Sequence, residues 1–111
     1  MMKIKDIINQ HYHVLTYNEL LDNTYNGIYA TDLLSQAIYA AKNHQALITV
    51  ISNLNTIAVA MMMDLSCIII TSNKEVSTHM IEKANLEHIT IISTPLHTHE
   101  VVIDLYKRGL T

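Results

Sequence analysis

The chain has 111 residues, half of them apolar, no Phe or Trp, and a formal net charge of −3 at pH 7. That length predicts one domain over residues 1–111 with a modest core, and the acid excess argues against nucleic acid or an anionic membrane surface as the main partner. The lone Cys67 excludes an intrachain disulfide and a cysteine-only zinc site and fits a reducing compartment, so the expectation is a cytoplasmic protein.

Lys3, Lys5 and Asp6 interrupt the first apolar residues, which argues against a signal peptide. Met2–Asn9 instead predicts a short amphipathic helix with Ile4, Ile7 and Ile8 on one side. Tyr12–Thr16 reads as a short strand, and Asn18–Asn26 as a loop with a helical turn closed by Asn26-Gly27. Gly27–Ala30 predicts a second short strand. Thr31 or Asp32 would then cap a helix in which Leu33, Leu34, Ala37, Ile38 and Ala41 recur at helical spacing.

The second half is more regular. Ala46–Ile51, Cys67–Ile70 and Ile89–Ile92 are continuous aliphatic runs, as in strands buried on both faces of a parallel sheet. They are too short to span a bilayer. Thr56–Met63 and Thr78–Leu86 supply crossover helices. A last helix follows Thr98, a candidate cap, with Glu100 in its first turn, Lys107 and Arg108 in its last and Gly109 beyond. The alternation predicts an α/β class domain: three-layer α/β/α, with a mostly parallel sheet of about five strands.

Each of the three apolar runs ends in small polar residues: Ser52-Asn53 after the first, Thr71-Ser72-Asn73 after the second, and Thr94-Pro95-Leu96-His97-Thr98 after the third. In a parallel sheet these loops share the C-terminal edge, where α/β folds bind ligands. The candidate ligand-binding residues are therefore Ser52, Asn53, Thr71, Ser72, Asn73, Thr94, His97 and Thr98. The competing reading is that these residues only cap the helices that follow.

Catalytic templates are missing. There is no Gly-rich phosphate loop with its Lys and no Gly-x-Ser-x-Gly elbow, and the spacing suggests no nucleophile–base pair. A receiver-domain phosphorylation site would need an Asp where Ser52-Asn53 stand. The expectation is a non-enzyme without cofactor or catalytic residues. Metal ligation is not expected either: His11 with His13, and His97 with His99 and Glu100, match no standard zinc spacing. Cys67, at the start of a buried strand, reads as an inert small apolar residue. Met61-Met62-Met63 point in different directions around a helix, so part of this triplet should face outward. That surplus of apolar surface predicts a homodimer through Met62 or Met63, with the Ile4, Ile7 and Ile8 face as the rival contact.

Thr31-Asp32-Leu33-Leu34-Ser35, Ile57-Ala58-Val59-Ala60, Ile68-Ile69-Ile70-Thr71 and Ile91-Ile92-Ser93-Thr94-Pro95-Leu96-His97-Thr98 resemble, in order and spacing, the DRTGG domain family over nearly the whole chain. The resemblance implies a regulatory module, similar in fold to the N-terminal domain of HPr kinase/phosphorylase. Related domains stand beside nucleotide-sensing CBS domains in some pyrophosphatases. It also implies a dimer and a small-molecule ligand, a nucleotide among them. The alternative is a ligand-free subunit docking on an enzyme or kinase partner. The chain departs from the family pattern at two places. Asn53-Leu54 stand where the pattern has Asp-Arg, and Ser72-Asn73 replace its two glycines. The first change removes an anion partner, and the second disfavours positive φ.

Overall fold

Short aliphatic runs bounded by polar turns become the strands of the central sheet. A computed structural model describes residues 2–111. Its strands are β1 (Met2–Lys3), β2 (His13–Val14), β3 (Thr24–Tyr25), β4 (Ile28–Ala30), β5 (Ala46–Thr49), β6 (Cys67–Ile70) and β7 (Thr90–Ser93). Its helices are α1 (Leu34–Ala40), α2 (Leu54–Met62), α3 (Thr78–Leu86) and α4 (Thr98–Lys107). The main sheet has five strands in the order β2-β7-β6-β5-β4. β4 to β7 are parallel and only β2, at the edge, is antiparallel. This is the mostly parallel α/β architecture expected from the alternation of runs.

Strand alternation divides the core between two layers. Leu47, Ile68, Ile70 and Ile91 pack under Ala37 of α1 and Ala41 just beyond it, Ile57 and Ala60 of α2, and Met80 and Ala84 of α3. Ala46, Ile48, Cys67, Ile69 and Ile92 face the other way, against Val101 and Leu105 of α4 and the N-terminal residues Ile4, Ile7, Tyr12 and Tyr25. Consecutive strand order with consecutive helices on one face follows from the uniform hand of parallel crossovers. α4 alone leaves the sheet to the opposite face.

Three helices end in the same way. Leu65 N–H reaches Ala60 O (2.9 Å), Ile89 N–H reaches Ala84 O (2.9 Å) and Leu110 N–H reaches Leu105 O (2.8 Å). The residue before each donor is left-handed: Asp64 (φ 52°), His88 (φ 58°) and Gly109 (φ 73°). This closure satisfies carbonyls that have no partner within the helix.

The sequence-based expectations need correction at four places. Met2–Asn9 is not an amphipathic helix. Met2–Lys3 pair with Thr24–Tyr25 in a two-stranded antiparallel ribbon, and only Ile4–Asp6 turn, as a 3₁₀ segment. The Ile4 and Lys5 N–H groups donate to Asn23 and Leu21 carbonyls, which holds the segment against the 21–25 stretch instead. α1 is capped by neither Thr31 nor Asp32, because Leu33 occupies the cap position. β5 stops at Thr49, whose hydroxyl turns back to accept the Ile51 N–H. At α4 the cap is His97, one residue before Thr98, and the Glu100 carboxylate accepts the His97 N–H at 2.9 Å. The turn expected within 18–26 is present at Asn18–Leu20.

Candidate functional site

The loops after β6 and β7 begin on neighbouring strands and diverge, one to α3 and the other to α4 on the opposite face. A crevice between diverging loops at strand C-termini is where open α/β sheets place ligands. Ser72 N–H donates to Leu96 O at 2.7 Å, and Asn73 N–H donates to Thr94 O at 3.0 Å. Making both bonds puts Ser72 at φ 62° and Asn73 at φ 56°. The loss of both glycines disfavours this conformation, yet both residues adopt it. Carbonyls of the β7 loop hold the two residues where glycines would otherwise be favoured.

This pairing brings side chains together across the crevice. Thr71 and Thr98 hydroxyls are 2.9 Å apart, and Ser72 Oγ is 3.1 Å from His97 Nδ1. A hydroxyl thus meets an imidazole, a contact that sequence spacing did not suggest. The His97 ring lies nearly parallel to that of His99, at 10° with centroids 6.2 Å apart. Among the described residues no carboxylate accepts a hydrogen bond from the His97 ring; Glu100 bonds its main chain instead.

The predicted site residues separate into two groups. Thr71 and Thr94 are buried, and the Thr94 hydroxyl accepts the Leu96 N–H at 3.2 Å. Asn53 caps α2 by accepting the Asn55 N–H at 2.9 Å, and Ser52 donates to the Glu75 carbonyl at 2.8 Å. These four build the loops. Ser52 also links the first loop to the second. Asn73 and His97 are exposed, and Ser72 and Thr98 are partly exposed. These four form the accessible polar surface of the β6 and β7 loops, and Asn53 is exposed on the neighbouring loop.

Sequence reasoning missed Asp32. Its carboxylate accepts from Thr49 Oγ1 at 3.1 Å and from Val50 N at 2.9 Å, which adds the loop after β4 to the same edge. The signal was an Asp beside a strand end, read only as a cap. The loop amides offer little to an anion. The N–H groups of Ser72, Asn73, Lys74, Thr94, Leu96 and His97 all donate to protein oxygens. The edge therefore presents hydroxyls, a carboxamide and an imidazole, and those loop amides do not form an open phosphate cradle.

At the other end of β6 from the crevice, burial pushes the Cys67 thiol up to about 12, as the low polarizability of its surroundings disfavours the thiolate. Among the described residues no three His, Cys, Asp or Glu side chains are placed to hold a metal ion. No helix among them is long and apolar enough to cross a membrane.

Comparison with solved structures finds the CBS and DRTGG domains of the regulatory region of Clostridium perfringens pyrophosphatase, in a complex with its activator diadenosine tetraphosphate. The TM-score is 0.69 at 17% identity, over 82% of this chain and 40% of that one. The shared property is the fold. Among curated proteins none matches the sequence. The DRTGG domain family matches residues 11–107, which contain the five-stranded sheet, the four helices and every loop of the crevice. The chain belongs to the DRTGG domain family.

Proposed function

We propose that residues 1–111 act as a single non-catalytic regulatory domain in the cytoplasm. In this reading it binds a small polar ligand, a nucleotide among the candidates, at the crevice between the β6 and β7 loops. The observation that carries the reading is the pair of left-handed non-glycine residues, Ser72 and Asn73. Such backbone is costly and persists where surrounding structure imposes it, commonly at ligand sites. Asn73, His97 and Thr98 would meet the ligand, with Ser72 beside them. Thr71 and Thr94 would support them from beneath, and Ser52 and Asn53 would fix the neighbouring loop. The Ser72–His97 contact lacks the carboxylate that would orient and charge-balance a catalytic base, which supports binding over catalysis. The solved neighbour lies in the regulatory region of an enzyme and is bound to a nucleotide activator. That supports a regulatory role here.

The same reading includes pairing with a second copy. Tyr39 of α1 is 87% exposed and Met62 of α2 is 65% exposed. Leu33, Ile38, Leu54 and Met61, from the same two helices and the residue before α1, are exposed as well. A symmetric contact of about 1,600 Å² in total would be ordinary for such a surface. The alternative, favoured by this same apolar surface, is a ligand-free subunit docking there on an enzyme or kinase partner. Scanning fluorimetry against nucleotides and polar metabolites separates the two. Stabilisation by one chemical class supports the ligand-binding reading, and a flat panel supports the subunit. Sedimentation at micromolar concentration tests pairing: a species near 12.6 kDa at every concentration would refute the dimer.

A further inference from the structure

A second cleft, an open groove that adjoins the β7 loop at Leu96, runs along the solvent side of α4 with a volume of ≈ 410 Å³, within the range of small-molecule sites. Leu96 and Ile103 give it an apolar floor, His11 and His99 contribute two imidazoles, and Lys107 stands toward its far end. The wall that carries His11 is fixed. Asn9 and Tyr12 are bridged across the turn. Tyr12 is buried, its hydroxyl donates to Asp104 Oδ2 at 2.7 Å, and its ring lies 5.3 Å from the Arg108 guanidinium.

Its polar groups are not equally available. Asp104, which lines the cleft, already takes Tyr12 and pairs with Arg108 at 3.1 Å. Glu100 is engaged by the His97 N–H. Among the described residues the His11, His99 and Lys107 side chains have no hydrogen-bond or ion-pair partner. The free capacity is therefore two flat rings over an apolar floor, one cation, and the second carboxylate oxygen of Glu100. His99 and Lys107 are eight residues apart, about 12 Å along the helix, too far for one inorganic phosphate to bridge.

We infer that this groove binds a purine mononucleotide, with the base on the Leu96–Ile103 floor beside His11 and His99 and the phosphate on Lys107. Flat rings and apolar side chains accept a base by stacking whatever its hydrogen-bond pattern. A lysine takes the phosphate as a point charge. This inference does not rest on the loop-edge reading: the side chains that line the groove are not those assigned to the crevice, and the two sites meet where the His99 ring stacks on that of His97.

Calorimetric titration of the full chain with adenosine 5′-monophosphate, adenosine and inorganic phosphate tests it. The expected result is saturable binding of the monophosphate, with adenosine and phosphate each weaker by about tenfold or more. Lys107→Gln should weaken the monophosphate about tenfold, the scale of a lost charge-assisted hydrogen bond, without shifting the melting temperature. Asn73→Gly, on the loop edge, should leave its affinity unchanged. No saturable binding at millimolar monophosphate overturns the inference. So does full affinity in Lys107→Gln, or affinity lost in Asn73→Gly.

Discussion

His88 closes α3 in the same geometry with which Gly109 closes α4, and this equivalence makes a reciprocal test. An L-residue in the left-handed region costs roughly 1–2 kcal/mol, while glycine there loses roughly 0.5–1 kcal/mol in extra chain entropy. His88→Gly should therefore stabilise the protein by about 0.5–1 kcal/mol. The side chain is exposed and makes no hydrogen bond among the described residues, so little is lost to offset the gain. Gly109→Ala should cost about 1 kcal/mol, and the cost is purely conformational, because nothing lies within 4 Å of the added Cβ. For a domain of this size these values correspond to melting shifts of roughly +3 to +5 °C and about −5 °C. Thermal and urea unfolding of both variants, followed by circular dichroism, gives the two signs. A melting temperature unchanged or lowered in His88→Gly would refute the left-handed closure of α3, as would a neutral Gly109→Ala for α4.

Thr90→Val should raise stability by about 1 kcal/mol in urea unfolding, because the Thr90 hydroxyl is buried without a partner and valine keeps the shape while removing the unsatisfied group. Tyr12→Phe should lower stability by about 1–2 kcal/mol by removing a hydrogen bond to a carboxylate, with amide exchange rising first in the N-terminal segment. Alkaline pH should destabilise the fold. The Cys67 thiol is raised from 9.0 to about 12, and burial raises the Tyr12 and Tyr25 phenols as well. Above about pH 9 the unfolded thiol loses its proton while the folded one keeps it. Stability present below that pH therefore falls as pH approaches 12, by up to about 1.4 kcal/mol per unit for Cys67. Cys67→Ala should flatten the slope between pH 9 and 10; an unchanged slope would show that the thiol does not contribute.

The parallel half of the fold was legible because its signals are long and local. Cys67–Ile70 and Thr78–Leu86 match their observed bounds, since apolar runs and helical spacing act over neighbouring residues. The N-terminal ribbon was not legible. Met2–Lys3 are placed by pairing with Thr24–Tyr25, a partnership that leaves no mark at helical or strand period. The loop edge was legible as a position but not as a division of labour. Asn53, Thr71 and Thr94 have the same small-polar character as Asn73 and Thr98, yet burial of the two threonines and the α2 cap made by the exposed Asn53 give these three a part in building the loops. The left-handed Ser72 was hidden for a related reason. Its conformation is imposed by the Leu96 carbonyl, 24 residues away in sequence.

The central claim, a ligand crevice between the β6 and β7 loops, is tested most directly by fluorimetry of the wild type beside an Asn73→Gly/Thr98→Val double variant. Glycine removes the carboxamide and tolerates φ 56°, and valine keeps the shape of Thr98 but gives up its hydroxyl contact with Thr71, at a cost of about 1 kcal/mol, so each protein is compared with its own unliganded melting temperature. A ligand at a hundredfold excess over its Kd contributes about 2.7 kcal/mol, a shift of several degrees. Against a panel of nucleotides and polar metabolites, the account predicts at least one compound that raises the wild-type melting temperature and fails to raise that of the double variant. A panel in which every stabilising compound acts equally on both proteins would contradict it.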